Sequence, residues 1–191
     1  MNSRFVRLLV IFLPVSVLSL LAASVRAYSG GPIPAVTGGF GEPTCNQSGC
    51  HNSLELNAGR ALGLGDVVIT GLPKQYESGK TYPIKLAVTH TQDRKYWGFQ
   101  LAARLKATGV QAGELNPIDS GTQVVDKDGI HYIEHTLEGI ATNTFNFNWV
   151  APSSSGGEVI MHASGNAADG GGSPDEDYIY TTSVTISPAA R

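Results

Sequence analysis

Apolar and polar side chains alternate through Tyr82-Pro83-Ile84-Lys85-Leu86-Ala87-Val88, and this alternation decides the fold class. Successive side chains of a β-strand point to opposite faces, so a period of two predicts a strand with one buried face. The same period returns in Trp97-Gly98-Phe99-Gln100-Leu101-Ala102-Ala103 and in Phe145-Asn146-Phe147-Asn148-Trp149. From Asp66 onward, Gly, Pro, Asn and Asp separate such short runs, which favours an all-β antiparallel sandwich.

The rest of the chain divides around this predicted sandwich. Further strands are expected at residues 130–136, 158–163 and 178–186, and no stretch predicts a long helix. Residues 28–65 begin with a Gly/Pro-rich stretch without periodicity and then contain the cysteines, which is typical of an extended lead-in. We therefore expect the sandwich at residues 66–187 and a short tail at 188–191.

The first 27 residues follow the order of a secretory signal peptide. Arg4 and Arg7 precede an almost wholly apolar run at residues 8–23, and Val25 and Ala27 supply the small residues of a cleavage site. That run is shorter than the roughly 18 to 20 apolar residues that span a bilayer. We expect residues 1–27 to be removed on export, which leaves a periplasmic or secreted protein without a membrane span.

The charge of the chain excludes one class of partner. The formal net charge is −3, and the sequence contains no basic cluster that could collect a phosphate backbone. Nucleic acid is therefore not an expected partner. The sequence also lacks a G-x-S-x-G elbow and a phosphate-binding Gly loop.

The two cysteines of the chain lie in Cys45-Asn46-Gln47-Ser48-Gly49-Cys50-His51. A c-type haem needs two thiols for its thioether bonds and an imidazole beside the second thiol as an axial iron ligand. Cys45, Cys50 and His51 supply this set. The usual motif has two residues between the cysteines and this one has four, so the extra residues must bulge outward, which the small residues and the freedom of Gly49 at positive φ allow.

Two other interpretations of the same segment remain open at this point. In an oxidising compartment, Cys45 and Cys50 would form a local disulfide. A zinc ion could use Cys45, Cys50 and His51, but a structural zinc site needs a fourth ligand that this segment lacks.

Several motifs together resemble one known family. Bacterial choice-of-anchor V proteins, which are similar to the immunoglobulin-like reeler domain at the start of reelin, share the patterns at residues 43–45, 50–51, 96–101, 132–136, 149–152, 163–168 and 177–182. The resemblance covers roughly residues 30–186. It implies an immunoglobulin-like sandwich, and it implies a haem at Cys45 and Cys50, because family members commonly carry the two-residue-spaced haem motif there.

These arguments lead to one main functional hypothesis and one alternative. The main hypothesis is an exported monohaem c-type cytochrome-like protein that transfers electrons or senses redox state with an unidentified partner protein. The alternative, which the reeler likeness suggests, is a haem-free adhesion or binding module with a Cys45–Cys50 disulfide.

The second axial ligand of the haem would come from elsewhere in the chain. His135 is favoured, because it lies in the motif shared with the family and because a buried imidazole needs a partner. Met161 is the second choice, although its strand face, shared with Val159 and Ala163, favours core packing.

Two further metal interpretations follow from local patterns. The H-x-x-E-H pattern of a zinc metallohydrolase is matched by His131, Glu134 and His135. This pattern binds zinc only on a helix, because on a strand the two histidines stand roughly 13 Å apart. The acidic loop at residues 169–177 could bind calcium, but it lacks the EF-hand spacing and is better interpreted as a solvated turn.

Overall fold

The computed structural model describes residues 28–47, 49–154 and 156–190. The predicted signal peptide and Ser48 of the predicted bulge lie outside these residues. Within them the strands are, in chain order, β1 (Gly65–Thr70), β2 (Gln75–Tyr76), β3 (Thr81–His90), β4 (Tyr96–Leu105), β5 (Glu114–Pro117), β6 (Thr122–Lys127), β7 (Ile130–His135), β8 (Thr144–Val150), β9 (Val159–Ala168) and β10 (Tyr178–Pro188). One short α-helix, α1 (Ala58–Ala61), and a 3₁₀ turn at Gly139–Ala141 complete the described elements.

The strands form two sheets that pack as a sandwich. The first sheet has the order β1-β3-β8-β5, and the second has the order β2-β10-β9-β4-β7-β6. The predicted all-β antiparallel sandwich is confirmed. One pair departs from it, because the two-residue strand β2 runs parallel to the end of β10. A strand this short shows no alternation, so the sequence gives no signal for it.

A two-residue turn fixes the register of the hairpin between β6 and β7. Lys127 pairs with Ile130, and the two residues between them, Asp128 and Gly129, have φ angles of 55° and 76°. Two consecutive positive φ angles are the mark of a type I′ turn, and Asp-Gly is a preferred sequence for it. This hairpin places His135 at the far end of β7, beside the start of β4.

The predicted alternation marks the face that enters the core between the sheets. Every second side chain of β3 is buried from Tyr82 to Val88, and Phe145, Phe147 and Trp149 are buried on β8. The rings of Phe99 and Phe145, from opposite sheets, lie 4.4 Å apart between centroids. The buried indole N–H of Trp149 donates a hydrogen bond of 2.9 Å to the carbonyl of Ala112.

β4 departs from the expectation of one buried face per strand, because both of its faces are buried. Gln100, on the face away from the core, has no exposed surface. Its side-chain carbonyl accepts a hydrogen bond of 2.8 Å from Val36 N–H, and its amide donates one of 3.1 Å to Ile33 O. The reason is that residues 28–57, the larger part of the predicted lead-in, lie across the outer face of the six-stranded sheet.

A buried ion pair holds the lead-in at a second point. The carboxylate of Glu42 contacts the guanidinium of Arg104, and it accepts hydrogen bonds from Tyr132 Oη at 2.6 Å and from Thr37 Oγ1 at 2.5 Å. Glu42 and Arg104 keep only 10% and 12% of their side-chain surface exposed. Val36 and Glu42 are therefore both fixed over the sheet, and the cysteine segment lies between these contacts and α1.

Candidate functional site

A cavity of about 360 Å³ opens where the lead-in crosses one edge of the six-stranded sheet. β4 runs antiparallel to both β7 and β9, so its first residues lie beside the last residues of those two strands. The cavity is lined by these three strand ends, by the lead-in, and by the loop that precedes β10. Parts of the chain that are distant in sequence therefore form one site.

Four of the predicted haem-site residues line this one cavity. Cys45, Cys50 and His51 come from the lead-in, and His135 comes from the end of β7. Met161 does not join them, since it is fully buried in the core between the sheets. The structure thus brings the cysteines, His51 and the favoured second ligand His135 together. It leaves Met161, the other candidate ligand, in the core.

A buried carboxylate orients His51. Nδ1 of His51 lies 2.6 Å from Oδ2 of Asp177, and Asp177 is 2% exposed. The other carboxylate oxygen accepts a hydrogen bond of 3.1 Å from Asp169 N–H. A carboxylate so placed accepts a hydrogen bond from Nδ1–H, so Nε2 is the ring nitrogen that can offer a lone pair.

Asn166 lies against the same imidazole. Its side-chain nitrogen is 3.4 Å from both ring nitrogens of His51, which indicates contact with the ring rather than a hydrogen bond directed at one nitrogen. The amide oxygen Oδ1 is buried and has no hydrogen-bond partner among the described residues. Asn166 therefore brings an unsatisfied polar atom to the wall of the cavity.

The loop between the cysteines is closed by its own backbone. His51 N–H donates a hydrogen bond of 3.2 Å to Cys45 O, and Cys50 N–H donates one of 2.9 Å to Gln47 O. Gly49 has a φ of 81°, a backbone conformation that glycine adopts without a Cβ clash. This closure keeps the start and the end of the segment together although four residues separate the cysteines.

Both cysteines are free thiols in this structure. Desolvation raises the pKa of the Cys45 thiol to about 11, while Ser164 beside it acts in the opposite direction. At neutral pH, Cys45 is therefore protonated and is a poor nucleophile, which is typical of a thiol among apolar neighbours.

His135 is held by the backbone on both sides of its ring. Phe99 N–H donates to Nδ1 at 3.1 Å, and Nε2 lies 3.3 Å from Tyr28 O. Burial lowers the pKa of His135, and the nearby His51 lowers it further, whereas its backbone partners raise it. His135 is therefore a neutral imidazole at pH 7.

The rim of the cavity is apolar and open to solvent. Four lining side chains stay substantially exposed, namely Tyr28 (61%), Ile33 (42%), Tyr96 (48%) and Leu137 (62%). Large apolar side chains gathered around a concave site favour a ligand with apolar edges.

Comparison with known proteins identifies the sandwich. The reeler domain family matches residues 66–166, just over half of the 191 residues. This chain belongs to the reeler domain family. Among solved structures, it is similar to the human F-spondin reeler domain, with 21% identity over 65% of this chain and 89% of that chain and a TM-score of 0.48. The Reelin-N domain of F-spondin matches at 22% identity over 66% and 86%, with a TM-score of 0.48. The curated proteins contain no match.

The family match covers only part of the cavity of this reeler domain. The matched range includes His135 and Asn166, but it begins after the cysteine segment and ends before Asp177. Membership in the family therefore establishes the sandwich, but the family match does not extend to the cysteine segment.

The H-x-x-E-H segment of this reeler domain lies on a strand, as the sequence analysis expected. His131 is half-exposed and lies 3.5 Å from Asp126, whereas Glu134 is buried and accepts hydrogen bonds from Gln100 and Gln123. Within residues 28–47, 49–154 and 156–190, no three His, Cys, Asp or Glu side chains are grouped to hold a metal ion directly. The zinc interpretations of this segment and of the cysteines thus find no support.

Sequence analysis missed the role of Asp177. It placed this residue in a solvated or calcium-binding acidic loop, but the side chain is buried against His51. Two of the loop's other carboxylates are used locally, since Asp169 accepts from Gly171 N–H and Asp175 accepts from Ser173 Oγ. Asp177 and His51 lie 126 positions apart, so no local pattern could have joined them.

Proposed function

We propose that this reeler domain carries one covalent c-type haem in the cavity, bound through Cys45 and Cys50 with His51 as an axial ligand. It would act in electron transfer or redox sensing in the periplasm or outside the cell. The observation that carries the proposal is that both thiols and His51 line one cavity, where a buried carboxylate already orients the imidazole.

The donor set fits the needs of such a group. A ligating imidazole is usually fixed by a hydrogen bond from its other ring nitrogen to a carboxylate or carbonyl, and Asp177 makes this contact with His51. Cys45 and Cys50 supply the two thiols that thioether bonds require. The hydrogen bond from His51 N–H to Cys45 O offers a way to accommodate the longer loop, because it holds the two ends of the segment together.

The shape and the walls of the cavity also support the proposal. Its volume of about 360 Å³ is within the range of about 300 to 1,000 Å³ that is typical of cofactor sites. Trp97, Ile140 and Pro174 add apolar surface to the exposed rim residues. When bound, haem would supply a one-electron iron couple, and these walls would limit the access of water to it.

An export experiment tests the proposal. The protein is exported from cells that contain a cytochrome c maturation system, purified and extracted with acidic acetone. Haem that stays with the protein and gives a c-type reduced α-band supports the proposal. The double variant Cys45→Ser/Cys50→Ser should be colourless after the same extraction, and His131→Ala should keep the wild-type spectrum. A colourless wild-type protein contradicts the proposal.

Family membership favours a second candidate function, namely a haem-free reeler-type binding module. In this case the exposed apolar rim would contact a partner directly, and Cys45 and Cys50 would form a disulfide after export. The observation that decides between the candidates is the state of the two cysteines in the exported protein. The likeness to choice-of-anchor V proteins, which implies a haem, stays a prediction.

A further inference from the structure

The two imidazoles of the cavity differ in how their nitrogens are used. In His51, Nδ1–H donates to the Asp177 carboxylate, and among the described residues the only hydrogen-bonding group near Nε2 is the Asn166 amide nitrogen at 3.4 Å. That distance is longer than an ordinary N–H hydrogen bond, so the Nε2 lone pair remains available to a ligand. His51 is therefore oriented and open at one nitrogen.

His135 has no such nitrogen available. Nδ1 accepts the N–H of Phe99 at 3.1 Å, and it also lies 3.2 Å from Phe99 O. With Nδ1 as the acceptor, the ring proton is on Nε2, where it can donate to Tyr28 O at 3.3 Å. The opposite tautomer would set the Nε2 lone pair against that carbonyl oxygen and would leave Phe99 N–H without its acceptor.

Packing also holds the His135 ring in this position. A Cβ atom added at Gly98 would lie 2.8 Å from Cε1 of His135, so the ring lies directly against the β4 backbone. The side chain is only 8% exposed. Turning Nε2 toward the cavity would break contacts on both sides of the ring.

We propose that His51 is the one imidazole among the described residues that this cavity offers to a haem iron, and that the opposite face of the iron binds a small exogenous ligand. This inference rests on the proposed function and deepens it from a redox carrier to a sensor or binder of small molecules. A neutral diatomic ligand fits best, since the walls are mainly apolar and no Lys or Arg is among the described residues that line the cavity.

Carbon monoxide is the probe for the test, and the absorption spectrum is the readout. The reduced exported protein should show a five-coordinate spectrum and should form a stoichiometric adduct with carbon monoxide. His135→Gln should keep both properties, and the matched control His131→Gln should equal wild type. In His51→Gly, the axial ligand should be lost and restored by added imidazole.

Two results would overturn the inference in different ways. A six-coordinate reduced spectrum that ignores carbon monoxide, and becomes five-coordinate in His135→Gln, would assign His135 as the second ligand and leave the proposed function intact. A colourless protein would remove the proposed function and this inference with it.

A second measurement does not depend on the folding of any variant. Nitrogen-15 spectra of the histidine side chains in the haem-free protein should show His51 protonated at Nδ1 and His135 protonated at Nε2. A His135 ring protonated at Nδ1 would have a free Nε2 and would contradict the inference.

Discussion

At the scale of single residues, the site depends on His51 and a carboxylate that lies 126 positions away along the chain. Asp177 is almost fully buried, and a buried carboxylate needs hydrogen-bond donors to offset its desolvation. The Nδ1 proton of His51 and the backbone N–H of Asp169 supply them. This arrangement strengthens the electron donation of the imidazole through Nε2.

In the proposed haem protein, removing the charge of Asp177 should therefore change the reduction potential of the iron. In Asp177→Asn, we expect the reduction potential to rise, because an imidazole that donates less electron density stabilises ferric iron less. Potentiometric titration of the exported protein measures the shift. The control Asp126→Asn, at an exposed carboxylate near His131, should leave the potential unchanged, and an equal shift in both variants would contradict the assignment.

His135 predicts how stability depends on pH. Burial lowers its pKa below the ordinary value of 6.5, so as the pH falls below about 6.5 the unfolded chain takes up a proton that the folded chain does not. The stability present above that pH is lost on acidification, by at most about 1.4 kcal/mol per pH unit for this group. Burial also lowers the pKa of His90 and His162, which add slopes of the same sign.

Urea unfolding of the haem-free protein at pH 7.5 and 5.5 measures this dependence. Between these two pH values, His135→Gln should lose less stability than wild type, while His131→Gln should lose as much stability as wild type. An unchanged difference in His135→Gln would show that His135 titrates normally in the folded protein.

At the scale of elements, the lead-in is a covering layer of the sandwich rather than a linker. The alternation of apolar residues predicted β3, β4 and β7 to β10, because each of these strands has at least one face in the core. It did not predict β1, β2, β5 and β6 individually. It could not predict that Gln100 and Glu134 are buried, since their polar side chains point outward and become buried only when residues 28–57 cross the sheet. A segment without periodicity gives no signal of what it covers.

The Glu42–Arg104 pair should be the strongest single anchor of the lead-in. Glu42→Ala leaves Arg104 with an uncompensated, mostly buried charge, and we expect a loss of about 3 kcal/mol in the free energy of unfolding. Urea unfolding measures the loss. Glu158→Ala, which breaks an exposed pair with Lys106, should have little effect, and equal losses in the two variants would argue against the anchor.

The contact between β4 and the end of β7 leaves no room for an added side chain. In Gly98→Ala, the new Cβ would lie 2.8 Å from the His135 ring, so we expect a loss of stability of about 1 to 3 kcal/mol through overpacking. Gly30→Ala is the matched control, because nothing lies within 4 Å of its added Cβ. Thermal or urea unfolding of both variants measures the change in stability. An unchanged stability of Gly98→Ala would mean that the His135 ring moves freely.

At the scale of the whole molecule, the sandwich holds the site together by bringing distant segments to one edge. The sequence indicated Cys45, Cys50 and His51 as one candidate set and His135 as a candidate second ligand. Their meeting in one cavity depends on the pairing of β7, β4 and β9 and on the path of the lead-in. Asp177 and Asn166 could not be predicted, since their roles exist only after those strands have paired. Among the described residues, no helix is long and apolar enough to cross a membrane.

The mass of one tryptic peptide shows whether the two cysteines carry haem. Trypsin should release a peptide that ends at Arg60 and contains both cysteines, with no Lys or Arg between Tyr28 and Arg60. For protein exported with a cytochrome maturation system, the account predicts that this peptide is heavier by about 616 Da, the mass of one haem bound through two thioethers. A peptide lighter by about 2 Da, the signature of a Cys45–Cys50 disulfide, would contradict the account and leave a haem-free reeler-type module.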